Sequence, residues 1–402
     1  MLAYYGKDCN MVEALITPKL ISWAIERNHE TTDSAARKIS VKPNTLAAWA
    51  SGEALPTLHQ AQNLARKLNI PFGYLYLSIP PIENLPLPDL RVVAGAPPHK
   101  PSPDFLDVLY DALRKQQWFH EYLYIEKAGP VPYIGRYSPG DNSGTVAADI
   151  RSVLGIDDKL RQQSNTWEQF LTELIGKAEK SRVLVLRSSI VGNNTHRQLN
   201  VEEFRGFAII DNLSPLIFIN SADAKAAQIF TLVHELAHLW IGQSGISNPD
   251  YLQRSDQQRN VIDQYCDRVA AEVLVPGDDF LVRWDDLYNL GGNLESLAAH
   301  YKVSALVILR RAYELDKIQT DEYRDTYNEL LEKRKHKIPD GGGNFYASLL
   351  TRNSSTLTST LLAATAEGRV PPREAASLLN IRIATLKGIE NYLLTGSGKT
   401  NA

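Results

Sequence analysis

Apolar residues recur along this chain with two periods, one typical of helices and one of strands. Residues 224–240, AKAAQIFTLVHELAHLW, are apolar almost all the way round a helix, which predicts a helix buried in a domain core. Two short β-prone runs at 204–210 and 215–220 precede it, and the four residues DNLS between them predict a hairpin. A further helix is predicted over 262–276. Short strands followed by long helices indicate an α+β fold.

The N-terminal part has the pattern of a helix-turn-helix. Helices are predicted over 18–28, 32–39 and 44–51, with a tight turn at 40–43 between the second and third. The internal contacts of such a pair would come from small or apolar side chains, namely Ala36, Val41, Leu46 and Trp49. The third helix would be the recognition helix, and four residues lie at its start or on its outer face, where they could reach base edges or phosphates: Lys42, Asn44, Thr45 and Ala48.

The buried helix carries the pattern HExxH, formed by His234, Glu235 and His238. Histidines four residues apart project from one helix face and can bind one Zn²⁺, while the glutamate can take a proton from a metal-bound water. Ionisable groups are unfavourable in an apolar core unless they are paired, protonated or bound to metal. The sequence therefore predicts a zinc peptidase site with Glu235 as the catalytic base, and two structural core histidines are the alternative.

A zinc site of this kind needs a third protein ligand, and the helix over 262–276 carries three acids. Asp263 and Asp267 are one turn apart and share a face, whereas Glu272 points to roughly the opposite side and is the weakest candidate. Cys266 lies on the flank, and because a lone buried cysteine usually acts as a small hydrophobic residue, we do not count it as a ligand. Either aspartate could complete the site.

Composition limits the class of protein. The chain has 402 residues, of which 44% are hydrophobic and 22% charged, which predicts a globular protein of two or three domains. A net charge of −3 argues against general binding to nucleic acids or membranes. Cys9 and Cys266 give no disulfide framework, and the sequence has no signal peptide or membrane-length apolar run, so a cytoplasmic location without membrane association is expected.

Proline-rich sequence divides the chain. Eight prolines between residues 80 and 103 predict a stiff connector. We therefore expect four segments: a helix-turn-helix domain at 1–80, the connector at 81–103, a peptidase domain at 104–330 and a small helical C-terminal region at 331–402. The later part contains a helix-turn-helix-like pair over 293–316, a basic run at 333–337 and the segment PPREAASLL at 371–379. These elements could bind a partner, cover the cleft or contact DNA.

The segments INSADAKAAQIFTLVHELAHLW and QYCDRVAAEVLVP resemble the ImmA/IrrE family of metallopeptidases, and the N-terminal helices resemble the Xre-type head of its long subfamily. The resemblance implies a multidomain α+β protein: an all-α Xre-like head, a gluzincin-like zinc peptidase domain with a small β-sheet, and a helical C-terminal region. The gluzincin pattern maps onto Asp263 as the third zinc ligand and Asp267 as the partner that orients His234. The usual third ligand is glutamate, so the shorter aspartate requires a closer helix or lowers zinc affinity.

The resemblance also implies a function. It suggests a zinc-dependent endopeptidase that cuts a repressor or other regulatory protein to control stress, mobile-element or defence genes, with double-stranded DNA bound by the head. The alternative is an antitoxin that binds operator DNA and sequesters a co-encoded nuclease-type toxin, with zinc structural or absent. Residues 18–70 contain seven basic and four acidic residues, a net charge of +3, which is modest for a DNA-binding domain and leaves protein contacts or homodimer formation open.

The predicted hairpin suggests how a substrate would be held. An edge strand beside the active-site helix could bind a peptide as an added strand, with main-chain hydrogen bonds giving affinity. This hypothesis requires one of the strands at 204–210 and 215–220 to lie at the edge of its sheet. The alternative is an ordinary core hairpin.

Overall fold

The computed structural model of the protein describes residues 12–81, 83, 87, 101–247, 260–334 and 344–395. The chain forms two compact units, Met1–Pro86 with Lys100–Asp107, and Leu87–His99 with Val108–Ala402. The described C-terminal helices belong to the second unit. Cys9, most of the connector at 81–103 and most of the basic run at 333–337 lie outside the described residues, and the four-segment division stays a prediction.

The first unit contains the predicted helix-turn-helix. Between residues 12 and 81 its elements are four α-helices and a 3₁₀ turn: α1 Pro18–Arg27, α2 Thr32–Ile39, α3 Pro43–Ser51, α4 Leu58–Lys67 and Phe72–Tyr76. Thr31 and Ser34 form a capping box at the start of α2, and Pro43 opens α3 at its first position, where no backbone N–H is needed. Ala36, Leu46 and Trp49 are buried in the core of this unit, as the sequence predicts.

The remaining elements are segregated, as in an α+β fold: four helices come first, five strands follow, and the later elements are mostly helices. The helices are α5 Pro103–Ile125, α6 Ser143–Leu154, α7 Asp158–Gln163, α8 Trp167–Lys180, α9 Lys225–Trp240, α10 Val261–Leu274, α11 Gly277–Arg283, α12 Leu290–Tyr301, α13 Ala305–Glu314, α14 Thr320–Arg334, α15 Phe345–Asn353, α16 Ser355–Ala366, α17 Pro372–Leu378 and α18 Ile383–Leu394. The strands are β1 Leu184–Ser188, β2 Ile190–Val191, β3 Asn194–Gln198, β4 Gly206–Ile209, β5 Leu216–Asn220 and β6 Gly245–Ser247.

Four strands form a mixed sheet in the order β1-β5-β4-β6. β1 and β5 are parallel, β4 is antiparallel to both β5 and β6, and Phe207 lies opposite Phe218 across the β4–β5 hairpin. Each hairpin strand therefore has a neighbour on both sides, and among the described strands the edges of this sheet are β1 and β6. The hypothesis that β4 or β5 is the edge strand that binds a substrate is wrong, because β6 and β1 flank them.

The helix α9 lies at the centre of the second unit. All of its residues except Lys225 and Ala227 are buried, because it packs against β4 and β5 on one side and against α6, α8 and α10 on others. This position explains the nearly uniform apolar composition of the segment. It also means that the ionisable residues of α9 lie in the largest apolar cluster of the unit.

The C-terminal helices pack onto this unit. α15 contacts β1, and α15 to α18 contact one another in sequence. The α17–α18 turn is attached by a hydrogen bond from Asn380 Nδ2 to Asp111 Oδ2 at 2.9 Å, and Arg114 Nη1 donates to Ser377 Oγ at 3.1 Å. None of the helices in the described ranges is long and apolar enough to cross a membrane.

Candidate metal centre

The two histidines of α9 are held by their outer ring nitrogens. His234 Nδ1 is 2.8 Å from Asp267 Oδ1, and His238 Nδ1 is 3.1 Å from the main-chain oxygen of Gln243. A main-chain carbonyl can only accept, so His238 carries its proton on Nδ1, and the carboxylate of Asp267 favours the same tautomer for His234. Both Nε2 atoms therefore face inward with a lone pair available for a metal.

Asp263 on α10 completes a group of three ligand atoms. Its Oδ1 is 3.3 Å from His238 Nε2 and 3.6 Å from His234 Nε2, and the two Nε2 atoms are 3.2 Å apart. A tetrahedral Zn²⁺ about 2.05 Å from each ligand holds such atoms about 3.3 Å apart, so the spacing fits one ion. Two nitrogen lone pairs and a carboxylate oxygen would repel one another at these distances without a cation between them. The residues present thus fit a divalent metal.

The electrostatics of the group also favour a positive charge. Burial disfavours a charged His234, but its contacts with Asp263 and Asp267 outweigh burial and raise the pKa of the imidazole. Burial acts against ionisation of Asp263 too, yet the two histidines lower the pKa of its carboxyl group. In the metal-free protein the site therefore retains a proton, which a metal ion would replace.

The aspartate at position 263 reaches the histidines because the two helices are close. α10 packs directly against α9, and the facing surface of α10 includes the small buried residues Cys266 and Ala270. Asp267, one turn further along, reaches the outer nitrogen of His234 instead of the group of three. The shorter side chain is thus accommodated by a close helix pair.

Glu235 lies in the same buried environment, beside strand β4. A Cβ atom on Gly206 would lie 2.8 Å from Glu235 Oε1, 2.7 Å from Thr231 Cγ2 and 3.0 Å from the main-chain oxygen of Phe218. The strand can approach the carboxylate only because residue 206 has no side chain. Sequence reasoning missed this role, although a glycine inside a β-prone run signals a close approach. The carbonyl of Gln243 was also missed, because a main-chain acceptor leaves no trace in the residue type.

The other acid and the thiol of α10 lie outside the group. Glu272 forms an ion pair with Arg311, on the side of the helix away from Asp263. Cys266 is fully buried, and burial together with the neighbouring acids raises the pKa of its thiol well above the usual value. The thiol therefore stays protonated and is a poor metal ligand.

The predicted DNA-facing residues lie in the first unit. Lys42 and Asn44 are exposed at the start of α3, and Thr45 and Ala48 are half-buried on the same helix. Lys42 occupies the N-cap position, where its backbone is extended and its side chain is not used for capping. The polar side chains of Lys42 and Asn44 are therefore accessible to solvent.

Comparison with known proteins identifies two domains. Residues 178–313 match the IrrE N-terminal-like domain of peptidase family M78, and residues 31–75 match a helix-turn-helix domain. The first range includes α9, α10 and the whole candidate metal centre, and the second includes α2 and α3. No curated protein matches the chain significantly. The chain combines an M78 peptidase domain with a DNA-binding type of helix-turn-helix, the arrangement of an ImmA/IrrE protein with an Xre-type head.

Proposed function

We propose that the protein is a zinc-dependent endopeptidase that cleaves a regulatory protein and binds DNA through its N-terminal helix-turn-helix. The observation that carries the proposal is the convergence of His234 Nε2, His238 Nε2 and Asp263 Oδ1 beside Glu235 in an M78 peptidase domain. Two imidazoles and one carboxylate are a donor set used by catalytic zinc, and they leave a coordination position for water. When bound, zinc would acidify this water and polarise the scissile carbonyl.

Each residue of the site has a separate role in the proposed reaction. His234, His238 and Asp263 hold the metal, while Asp267 and the Gln243 carbonyl fix the histidine rings in the binding orientation. Glu235 accepts the proton of the attacking water and delivers it to the leaving amine. Gly206 leaves the space that the Glu235 carboxylate occupies.

The combination of domains supports a regulatory substrate. A helix-turn-helix in the same chain would bring the peptidase to a promoter, where DNA-bound repressors are concentrated. The exposed Lys42 and Asn44 would make the main contacts with DNA, and the half-buried Thr45 and Ala48 would contribute smaller ones. Cleavage of a repressor would then change transcription of neighbouring genes.

The test is a conservative change of the proposed base. Glu235→Gln keeps the shape of the side chain but cannot accept a proton from water, so we expect full metal content and loss of cleavage of a co-encoded repressor, by about 10²-fold or more. Glu173→Gln, the same change at an exposed position of α8, serves as the control and should cleave normally. Equal cleavage by both variants would rule out Glu235 as the base.

Comparison of Glu235→Gln with the wild type also tests the antitoxin alternative. If the protein acts only by sequestering a toxin, Glu235→Gln should protect cells from a co-encoded toxin as well as the wild type does. In that case the wild-type protein should also cleave no co-encoded repressor. Undiminished protection without any wild-type cleavage would replace the peptidase proposal with the antitoxin one.

A further inference from the structure

One kind of turn joins several of the described helix pairs, namely α1–α2, α2–α3, α6–α7, α12–α13 and α17–α18. Its central residue has a positive φ, 62° at Ser40 in α2–α3 and 56° at Asn380 in α17–α18. The following residue donates a main-chain hydrogen bond to the residue five positions earlier, Val41 to Ala36 at 3.0 Å and Ile381 to Ala376 at 2.9 Å. The pair α2–α3 matches the helix-turn-helix domain, but the turn alone does not identify such a domain, because the other pairs share it.

Burial distinguishes α17–α18 from the other pairs that share the turn. Residues 381–389 have the same order of exposed, half-buried and buried positions as residues 41–49 of α2–α3. Leu386 and Ile389 are buried where Leu46 and Trp49 are buried in α3. The corresponding stretches of the other pairs, 30–38, 156–164 and 303–311, have different orders, and six of the nine residues at 303–311 are buried. Residues 381–389 therefore resemble the recognition helix in burial as well as in the turn before it.

The pairs α2–α3 and α17–α18 also align in sequence without a gap. SAARKISVKPNTLAAW and EAASLLNIRIATLKGI share an Ala-Ala pair in the first helix and a Thr-Leu pair in the second. The exposed positions at the start of the second helix are Lys42, Pro43, Asn44 and Ala47 in one case and Arg382, Ile383, Ala384 and Lys387 in the other. A basic residue thus occupies the N-cap of both helices, and the later pair has a second one a turn further on.

The pair α17–α18 is held rigidly on the second unit. Asn380 bonds to Asp111 and accepts from Asn193, and Arg114 Nη2 donates to the carbonyl of Ser377 at 3.0 Å. Tyr346 of α15 packs on the side of α18 that carries Gly388 and Tyr392. These contacts use the turn and the flank of the pair and leave the exposed face of α18 uncovered, with Ile383 50% exposed. A fixed orientation lowers the entropy lost on binding.

We propose that α17 and α18 form a second DNA-binding helix-turn-helix, which contacts double-stranded DNA through Arg382, Ile383, Ala384 and Lys387. Arg382 and Lys387 would contact phosphates or guanine edges, and the apolar pair Ile383 and Ala384 fits the methyl groups of thymine. Residues 372–394, which include α17, the turn and α18, contain three basic and two acidic side chains, so this contact is weak alone. Two weak sites on one chain gain affinity together through their high effective concentration.

The first test measures how the full-length protein binds a random-sequence duplex of about 30 base pairs, about three helical turns. Each phosphate contact contributes about −0.9 to the slope of log Kobs against log salt concentration, so Arg382→Ala with Lys387→Ala should reduce the magnitude of the slope by about 2. Lys159→Ala with Arg324→Ala removes the same charges from exposed positions on α7 and α14 and should leave the slope nearly unchanged. Equal slopes for the two double variants would overturn the proposal.

The second test separates this site from the N-terminal one. The triple change Lys42→Ala, Asn44→Ala and Thr45→Ala disables α3, and the same duplex should still slow amide exchange in residues 383–391 of the full-length variant. Adding Arg382→Ala and Lys387→Ala should abolish this protection. Protection confined to α3 in the wild type would overturn the second site while leaving the N-terminal one intact. Protection of α18 by a protein partner but not by the duplex would make it a protein-binding surface and equally overturn the proposal.

Discussion

Two hydrogen bonds to the outer ring nitrogens determine what the histidines of the candidate centre can do. The bonds from His234 to Asp267 and from His238 to the Gln243 carbonyl place both protons on Nδ1, so that the Nε2 atoms face each other 3.2 Å apart. Such a pair is unfavourable without a cation, and the nearby carboxylate of Asp263 makes the group selective for a positive charge. Asp263 therefore lies among the candidate ligand atoms, whereas Asp267 contacts the outer nitrogen of His234.

Metal binding should distinguish those two aspartates. Asp263→Ala removes a ligand atom and should leave the purified protein with little metal, whereas Asp267→Ala removes only the orienting bond and should weaken affinity about 10–100-fold. His234→Ala and His238→Ala should abolish binding. Elemental analysis after dialysis gives the stoichiometry, about one Zn²⁺ for the wild type, and competition with a chromophoric chelator gives the affinity. Full occupancy in Asp263→Ala with loss in Asp267→Ala would exchange the two roles.

The glycine beside Glu235 gives a second prediction at this scale. Gly206→Ala places a methyl group 2.7–3.0 Å from Thr231, Glu235 and the Phe218 carbonyl, and overpacking of this kind lowers the free energy of unfolding by about 1–3 kcal/mol. Gly176→Ala is the control, because the site in α8 has nothing within 4 Å and should gain about 0.5–1 kcal/mol from helix propensity. Thermal or urea unfolding measures whether each variant loses or gains free energy of unfolding. An unchanged free energy of unfolding in Gly206→Ala would mean that β4 and α9 can move apart at little energetic cost.

At the scale of elements, helix α10 is held at its C-terminal end by arginine side chains. Arg161 donates to the carbonyls of Val273 and Leu274 at 3.3 and 3.2 Å, and Arg311 donates to that of Val275 at 3.1 Å. The last carbonyls of a helix lack partners within it, and cations interact favourably with its negative end. This cap supports the position of the helix whose first turn carries Asp263.

Removal of one of these arginines should loosen the helix. Arg311 is almost completely buried and pairs with Glu272 and Glu314, so Arg311→Met removes the side-chain donor to the Val275 carbonyl and the cation beside both carboxylates. Glu272 keeps the hydrogen bond from the main-chain N–H of Gly277, and we expect the unit to lose about 3 kcal/mol of stability. Amide exchange in residues 269–275 should speed up in this variant. Arg324→Met, at an exposed position of α14, should change stability by less than about 0.5 kcal/mol. Unchanged exchange in Arg311→Met would show that packing alone holds α10.

The elements also show which features a sequence can predict. The segment at 32–39 was expected as a helix and has those bounds as α2, because its apolar periodicity and polar cap are local signals. The strand order was not predictable, because β6 joins β4 only through pairing between segments far apart in the chain. For the same reason the substrate-strand hypothesis was placed on interior strands. The likeness of α17–α18 to α2–α3 lies mainly in the order of buried and exposed positions, which two short identical residue pairs do not reveal by themselves.

At the scale of the molecule, each compact unit has its own apolar core. The residues of the first core lie between Ala14 and Leu75, and the core of the second includes the buried face of α9 and most of α10. All three candidate metal ligands belong to the second unit. The stabilising effect of a bound ion should therefore be concentrated in one unit.

Metal removal tests this separation in the full-length protein. A ligand that binds only the folded state stabilises it by RT ln(1 + [L]/Kd), about 2.7 kcal/mol at a hundredfold excess over Kd, so a chelator should lower the unfolding temperature of the second unit. Amide exchange in α9 and α10 should accelerate after chelation, whereas exchange in α1 to α4 should stay the same, because their core contains none of the ligands. Added Zn²⁺ should reverse the change in the wild type but not in His238→Ala. Equal acceleration in both units, or none in α10, would contradict a metal site confined to the α9–α10 pair.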